Sequence, residues 1–336
     1  MRLRQKYIIF IESDKDAPWK IALDFFLQLL SLIYGLIVSV RNFLYDKSIL
    51  PAKKCSKPVI CVGNLSWGGT GKTSLSLFLW DELSKKFNTA ILRRGYGIDE
   101  EKILKEKNQN TFSGKNRAKL AMSLAEKFDL FILDDGFGHR QLRRDLDIVI
   151  MGAREFECKY RLIPASYFRE RLDSLKRADI VILSYKSELI SPHNTKEKLQ
   201  KRFPHLKIFF ADYKVVGIID LKNQMVDKKI LDNRKVAALT AIGYPKGFFN
   251  KLNETGIKVA KKITYPDHYQ FSKNEFLTLQ DKLIKEGISN LIISAKDRYH
   301  FPENEIKLNI FILQVELALD NAATFIESVN KYVQNS

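Results

Sequence analysis

The stretch Val59-Ile60-Cys61-Val62-Gly63-Asn64-Leu65-Ser66-Trp67-Gly68-Gly69-Thr70-Gly71-Lys72-Thr73 joins an apolar run to a glycine-rich turn that ends in Gly-Lys-Thr. Glycine lets consecutive backbone N–H groups converge on phosphate oxygens, lysine at this spacing reaches the β- and γ-phosphates, and the threonine hydroxyl can ligate Mg²⁺. The apolar run predicts a strand, and the residues from Ser74 to Trp80 predict a helix. A strand that enters a helix through such a turn is the context that a nucleoside-triphosphate site requires.

The turn is a variant of the pattern G-x-x-x-x-G-K-[ST]. The first glycine of that pattern would fall at Ser66, and Gly68 with Gly69 supplies the permissive backbone instead. A glycine-rich loop without a ligand is the alternative. The residues predicted to bind the nucleotide are Asn64, Ser66, Trp67, Gly68, Gly69, Thr70, Gly71, Lys72, Thr73 and Ser74.

A pair of carboxylates follows a second apolar run. Leu130-Phe131-Ile132-Leu133 predicts a buried strand, and Asp134-Asp135-Gly136 ends it. Two carboxylates at the end of a strand that follows a P-loop are typical of an Mg²⁺-holding element. Asp134 and Asp135 are therefore predicted, with Thr73, to hold the metal; a surface turn is the alternative.

Composition indicates a globular chain with an anionic partner. The 336 residues suffice for two domains, and 45% hydrophobic with 28% charged residues excludes a disordered chain. Cys55, Cys61 and Cys158 are not spaced as metal ligands. They indicate reduced thiols in a cytosolic environment. The net charge of +17 favours nucleic acid, acidic lipid or a phosphorylated substrate, and charge alone does not choose among them.

The segment from Ile21 to Val40 is long and apolar enough to span a bilayer as a helix. A polar stripe at helical spacing, Asp24, Gln28 and Ser31, favours a helix that lies on the surface instead, as do lysines and arginines at both ends. A buried hairpin or partner-facing helix is the alternative. Because this segment indicates membrane association, acidic lipid is favoured over nucleic acid as the anionic partner. No nucleic-acid partner is expected.

Alternating strands and helices predict an α/β fold with a P-loop NTPase-type, mainly parallel sheet flanked by helices, together with a smaller second α/β domain. The alternation of predicted strands and helices becomes less regular near residue 216. We expect a membrane-associating helical segment at 1–50, an ATP-binding core at 51–215 and a C-terminal domain at 216–336 that helps to form the cleft. The charged stretch Asp99–Lys119 predicts a surface loop, and Ser272-Lys273-Asn274-Glu275 predicts a capping box that opens a helix.

Short motifs recur in a fixed order along the chain. They are Val62-Gly63-Asn64-Leu65, Gly68-Gly69-x-Gly71-Lys72-Thr73, Arg94-Gly95-Tyr96-Gly97, Asp134-Asp135-Gly136-Phe137-x-His139, Arg144-Asp145, Pro164-Ala165, Arg169-Glu170, Ile242-Gly243-x-Pro245, Asp267-His268 and Lys296-Asp297. This ordered set resembles the tetraacyldisaccharide 4′-kinases of lipid A biosynthesis, over about residues 20 to 325.

The resemblance implies an activity. ATP would donate its γ-phosphoryl group to the 4′-hydroxyl of a tetraacylated glucosamine disaccharide 1-phosphate, with Mg²⁺, at the cytoplasmic face of the inner membrane. It also implies catalytic roles for Lys72, the carboxylate pair and His268, the last paired with a carboxylate. Arg94, His139 and Arg169 would contact substrate or phosphate, and Glu170 would lie near the metal. For the arginines and histidines, a solvated or structural side chain remains the alternative.

The chain also departs from the family pattern. Gly114-Lys115-Asn116-Arg117 stands where the family has Gly-Asp-Glu-Pro, whose aspartate partners the histidine. Arg93 replaces a serine, Gly138 a glutamine and Ser74 a proline. These changes leave nucleotide binding intact and leave the general base unassigned.

Two other functions stay open at this point. A membrane-bound P-loop ATPase switch shares G-G-x-G-K-T but carries lysine where this chain has Trp67. The second alternative is a catalytically weak relative of the kinases that binds ATP and lipid.

Overall fold

The computed structural model describes residues 18–67, 69–95, 98–157, 161–184, 192–267, 269–302 and 306–334. These residues form two compact units. The P-loop unit comprises the described parts of Tyr7–Tyr96, Leu104–Asp212 and Ala318–Ser336. The second unit comprises the described parts of Gly97–Ile103 and Tyr213–Leu317.

A parallel sheet forms the centre of the P-loop unit. Its strands are β1 (Val59–Gly63), β2 (Thr89–Arg93), β3 (Thr111–Ser113), β4 (Leu130–Asp134), β5 (Leu146–Gly152), β6 (Ile180–Ser184) and β7 (Lys207–Asp220), of which only the part up to Asp212 belongs to this unit. They lie in the order β7-β6-β5-β1-β4-β2-β3, and each neighbouring pair is parallel. Helices cover both faces of a parallel sheet of this kind. Its strands are therefore buried on both faces, and continuous apolar runs of sequence encode them. The predicted mainly parallel sheet is confirmed.

Helices of the P-loop unit pack around this sheet. They are α1 (Pro18–Asp46), α2 (Lys72–Leu83), α3 (Ile98–Lys107), of which only the part from Leu104 onward belongs to this unit, α4 (Arg117–Leu124), α5 (Ala153–Glu157), α6 (Pro192–Arg202) and α9 (Ala322–Gln334). Helices α7 and α8 belong to the second unit. The central strands contribute fully buried side chains such as Cys61, Phe131 and Leu133 to the core. Within the described chain, α1 alone is long and apolar enough to cross a membrane by length and composition.

The prediction of a loop over Asp99–Lys119 is wrong. The stretch contains most of α3 and all of β3, and β3 pairs with β2 through Ile91 and Thr111. Leu104 is fully buried. A three-residue strand carries no local pattern, so only pairing with a neighbour produces it.

The second unit carries its own parallel strands. They are β9 (Val236–Thr240), β10 (Val259–Thr264), β11 (Asn290–Ser294) and β12 (Asn309–Leu319), in the order β10-β9-β11-β12. Its helices are α7 (Pro245–Glu254) and α8 (Lys273–Lys285), and a short strand, β8 (Met225–Val226), runs antiparallel to the end of β7. The predicted capping box at α8 is confirmed: the Ser272 hydroxyl accepts from the Glu275 N–H, and the Glu275 carboxylate accepts from the Ser272 N–H. The boundary predicted at residue 216 lies inside β7.

Candidate active site

The glycine-rich loop leaves β1 and turns directly into α2. Gly71 occupies the N-terminal cap of α2 with a φ of 102°, a left-handed conformation that side chains strongly disfavour. Lys72 and Thr73 are the first two residues of the helix, so both lie at the positive end of its dipole. This is the local geometry that binds the phosphates of a nucleotide.

A neighbouring segment, residues 167–170, holds the loop in place. The Trp67 N–H donates to the Tyr167 carbonyl over 2.7 Å, and the Leu65 carbonyl accepts from the Arg169 N–H over 2.8 Å. Ser66 is fully buried, and its hydroxyl donates to Glu155 over 2.7 Å. The loop is therefore anchored by backbone pairing, independently of any nucleotide.

Asn64 links this loop to the second half of the site. Its Nδ2 donates to Thr70 Oγ1 over 3.0 Å, and its Oδ1 accepts from Arg169 Nη2 over 2.7 Å. Asn64 is 2% exposed, so both bonds are made out of water. The position of Arg169 is thus tied to the shape of the loop.

The carboxylate pair ends β4 beside the loop, because Val62 of β1 lies opposite Asp134 of β4. Asp134 is buried, and its Oδ1 accepts from the Ser76 hydroxyl of α2 over 3.0 Å. The Asp135 carboxylate accepts from both Arg169 Nη atoms, at 2.7 and 3.1 Å. Lys72 Nζ lies 3.8 Å from Asp135 Oδ1.

These cations keep Asp135 ionised. Burial opposes the charged carboxylate, but the Lys72 ammonium and then the Arg169 and Arg117 guanidinium groups outweigh it and hold the pKa of Asp135 well below its usual range. A carboxylate that stays charged at neutral pH is available to a metal ion.

The donor set suits Mg²⁺ shared with a nucleotide. Across the part of the chain that the structure describes, no group of three or more His, Cys, Asp or Glu side chains could hold a metal on its own. Mg²⁺ characteristically takes one or two carboxylates and completes its shell with phosphates and water. Thr73, Asp134 and Asp135 therefore fit the ion of a nucleotide complex and do not form an independent metal centre.

His139 lies just beyond the carboxylates and is neutral at physiological pH. Burial, reinforced by the positive charges of Arg117, Arg144 and Arg94, lowers the pKa of His139 to about 4. Its Nε2 is buried and has no hydrogen-bond partner in the structure. Arg94 follows β2 and is exposed. His139 and Arg94 lie at the edge of the sheet where β4 ends in Asp134 and Asp135. Their contacts with substrate stay predictions.

Glu170 is engaged by protein donors. It is 3% exposed, and its carboxylate accepts from Arg41 (2.6 Å), Arg177 (3.1 Å), Ser174 (2.9 Å) and Asn42 (3.0 Å). Burial opposes ionisation here as well, and the Arg177 and Arg41 charges outweigh it and lower the pKa of Glu170. A role beside the metal stays a prediction; in this structure Glu170 attaches α1 to the site.

The polar stripe of α1 faces the protein. Arg161 donates to Asp24 over 3.3 Å, the Ser31 hydroxyl to the Leu162 carbonyl over 2.8 Å, and the Tyr34 hydroxyl to the Arg169 carbonyl over 3.0 Å. Gln28 donates to Asp24 over 2.6 Å within the helix. The opposite face is apolar and exposed. Its side chains, each at least 48% exposed, are Trp19, Ile21, Phe25, Phe26, Leu29, Leu32, Ile33, Leu36, Ile37, Val40 and Phe43.

Two contributors to the site have no signal in the sequence. Arg117 donates to the backbone of the Asp134-Asp135 turn over 3.0 Å, and Arg41 contacts Glu170, which lies 129 positions further along the chain. A lone arginine in a sequence is ordinarily a solvated surface side chain. Only the tertiary structure distinguishes Arg117 and Arg41 from such arginines. Gly68, His268 and Cys158 lie outside the described residues.

A parallel sheet, a glycine-rich loop that opens a helix, and carboxylates at the end of the adjacent strand define a P-loop nucleotide-binding protein. The family model described as tetraacyldisaccharide-1-P 4′-kinase matches residues 23–112 and 99–334. The chain belongs to the tetraacyldisaccharide 4′-kinase family.

Individual relatives agree with this assignment. A tetraacyldisaccharide 4′-kinase of Porphyromonas gingivalis is 30% identical over 361 residues, which cover 95% of this chain and 99% of the relative. That of Aquifex aeolicus is 33% identical over 294 residues, 78% of this chain and 90% of the relative. A solved structure of LpxK from Aquifex aeolicus in complex with ATP matches with a TM-score of 0.71 and 28% identity, covering 93% of this chain and 99% of that chain.

Proposed function

We propose that this chain transfers the γ-phosphoryl group of ATP to the 4′-hydroxyl group of a tetraacylated glucosamine disaccharide 1-phosphate, forming lipid IVA. The observation that carries the proposal is the convergence of Lys72, Asp134, Asp135 and Arg169 at the mouth of the P-loop in a member of this kinase family. ATP and Mg²⁺ are the cofactors of the reaction.

The protein's own groups supply charge and position. Phosphoryl transfer has a loose transition state that asks little covalent chemistry of the enzyme and much charge neutralisation. Lys72 lies at the start of α2, where its ammonium would reach the β- and γ-phosphates of a bound nucleotide. Asp134 and Asp135, with the Thr73 hydroxyl, would hold Mg²⁺, which would supply positive charge that neutralises the phosphates.

Arg169 keeps Asp135 in place through two hydrogen bonds and is itself held by Asn64 and by the Tyr34 hydroxyl at its backbone carbonyl. Neutral His139, with an unpaired Nε2, is suited to a hydrogen bond with a sugar hydroxyl. The removal of the hydroxyl proton is assigned to no residue of the described chain.

The exposed face of α1 supports binding at a membrane surface. A substrate with four acyl chains stays in a bilayer, so the enzyme must reach it there. The polar side of α1 is bonded to the P-loop unit and the apolar side faces outward, which is the arrangement of an interfacial helix. We infer an anionic inner-membrane surface, approached from the cytoplasm, where ATP is available.

A transfer assay tests the proposal. Labelled γ-phosphate from ATP should appear in the 4′-phosphorylated lipid when tetraacyldisaccharide 1-phosphate is present in vesicles, and ADP should form in equal amount. ADP formation without labelled lipid would instead indicate an ATPase switch. Neither product, with nucleotide still bound, would indicate a non-catalytic relative. A disaccharide that carries a 4′-deoxy group is the matched control and should receive no label.

A further inference from the structure

The turn that carries Asp135 is conformationally unusual. Asp135 has a φ of 50°, in the left-handed region that residues other than glycine seldom adopt. Such a conformation persists only where surrounding contacts hold it. The Gly136 N–H donates to the Val62 carbonyl over 3.0 Å, and a side chain at position 136 would collide with Leu133 and Cys61 at 2.6–2.9 Å.

Arg117 supplies a second constraint on the same turn. Its Nη1 donates to the carbonyl oxygens of Asp134 and Asp135, both over 3.0 Å. Arg117 is 4% exposed, so a charged donor satisfies two neighbouring carbonyls away from water.

The direction of the Arg117 side chain is set by its own helix. It is the first residue of α4, whose cap Asn116 accepts from the Lys119 N–H over 3.0 Å. Ala118 is buried beside it. The start of α4 is therefore anchored, and the guanidinium group reaches the turn from a defined position.

We propose that Arg117 is a positioning residue that holds the Asp134-Asp135 turn so that the Asp135 carboxylate is presented to the metal–nucleotide complex. This inference rests on the phosphotransfer function proposed above. The resemblance places proline at this position, and proline has no side-chain donor, so the device belongs to this chain. Lys72 and Arg169 bind the carboxylate end of Asp135, while Arg117 binds its backbone.

Metal affinity tests the proposal apart from activity. Mn²⁺ binding is measured by electron paramagnetic resonance in the presence of a non-hydrolysable ATP analogue. Arg117→Met should raise the Mn²⁺ dissociation constant about tenfold, the size expected when a charged hydrogen bond to a site is lost. Asp135→Asn, which removes a predicted ligand, should raise it at least as far. Affinity for the analogue without metal should change less than about threefold.

A conservative variant and a matched control separate positioning from folding. Arg117→Lys keeps one charged donor and should recover part of the Mn²⁺ affinity. Arg144→Met removes another buried guanidinium, which bonds Asp147 and the carbonyl oxygens of His139 and Leu142 but not those of Asp134 and Asp135. This variant should lower Tm without weakening Mn²⁺ binding. In steady state, Arg117→Met should lower kcat about tenfold with little change in the KM for ATP.

Unchanged Mn²⁺ affinity in a folded Arg117→Met protein would overturn the inference. Equal weakening by Arg144→Met would also overturn it, as would an Arg117→Lys protein that binds Mn²⁺ no better than Arg117→Met. Failure of the proposed function is a different result: wild-type protein would bind Mn²⁺ and the analogue but transfer no phosphate to lipid.

Discussion

Lys72 is the P-loop lysine that we propose contacts the β- and γ-phosphates, and we expect Lys72→Ala to lower lipid phosphorylation at least a hundredfold. The expectation follows from the cost of removing a preorganised electrostatic donor from a buried site, about 3–4 kcal/mol. Single-turnover transfer assays measure the effect. The exposed Lys86, on the turn after α2, offers Lys86→Ala as a control that should retain full activity. Near-normal transfer by Lys72→Ala would remove the P-loop from the mechanism.

His139 makes stability depend on pH. The unfolded chain takes up the proton below the ordinary pKa of 6.5, and the folded chain takes it up only below about 4. The His139 contribution is therefore fully present above 6.5 and is lost as pH falls toward 4, amounting to at most about 3 kcal/mol.

Urea unfolding at pH 7, 5.5 and 4.5 measures this loss for wild type and His139→Gln. The wild-type free energy of unfolding should fall more steeply with decreasing pH than that of the variant, because glutamine does not titrate. Parallel curves for the two proteins would contradict the buried neutral state of His139.

Lys115 stands where the family pattern has an acidic partner for His268. If that carboxylate supports the base, Lys115→Asp should raise turnover by about tenfold, the lower side of general-base contributions. Steady-state kinetics of Lys115→Asp, compared with His268→Ala, measure the effect. The exposed Lys119 provides Lys119→Asp as a control for the charge change alone. Lower activity in Lys115→Asp with unchanged activity in His268→Ala would exclude the pair in this chain.

At the scale of elements, α1 has two faces with different partners. The polar face bonds the segment that carries Arg169 and Glu170, and the apolar face remains exposed. The prediction of a polar stripe is correct in spacing, and the structure adds that the stripe faces the protein. Deleting the whole helix would disturb both faces, so side-chain substitution gives the cleaner test.

We expect Leu32→Ser with Leu36→Ser to weaken binding to anionic vesicles at least tenfold and to leave ATP affinity unchanged. Both side chains are at least 66% exposed, and each loses the apolar burial that a membrane would provide, of order 1 kcal/mol or more. Vesicle co-sedimentation measures binding. Ile230→Ser, at an exposed apolar position of the second unit, is the matched control and should bind as wild type. Full retention of the double variant would place the membrane contact elsewhere.

At the scale of the whole molecule, the net charge of +17 should strengthen attraction to anionic membranes. Raising NaCl from about 0.1 to 0.5 M shortens the screening length from about 10 Å to about 4 Å, and vesicle binding should weaken several-fold. Sedimentation with 30% anionic lipid measures this, and neutral vesicles are the control, for which salt should have little effect. Salt-insensitive binding to both would leave apolar insertion as the sole attraction.

The sequence by itself determined the features that depend on neighbours along the chain. The order of glycines before Lys72 and Thr73, the apolar run before Asp134 and the capping box at Ser272 each specify a local geometry within a few residues. Their strands and helix form as predicted, and because parallel strands end at one edge of a sheet, the loop and the carboxylates meet.

Only the tertiary structure decided contacts between residues far apart in the chain. The strand β3 exists through pairing with β2, Glu170 acquires donors from α1, and Arg117 reaches the turn after β4. Each of these residues has an ordinary local sequence context, and its role comes from burial beside a partner. Such partners are selected by the packing of whole elements, which no short pattern contains.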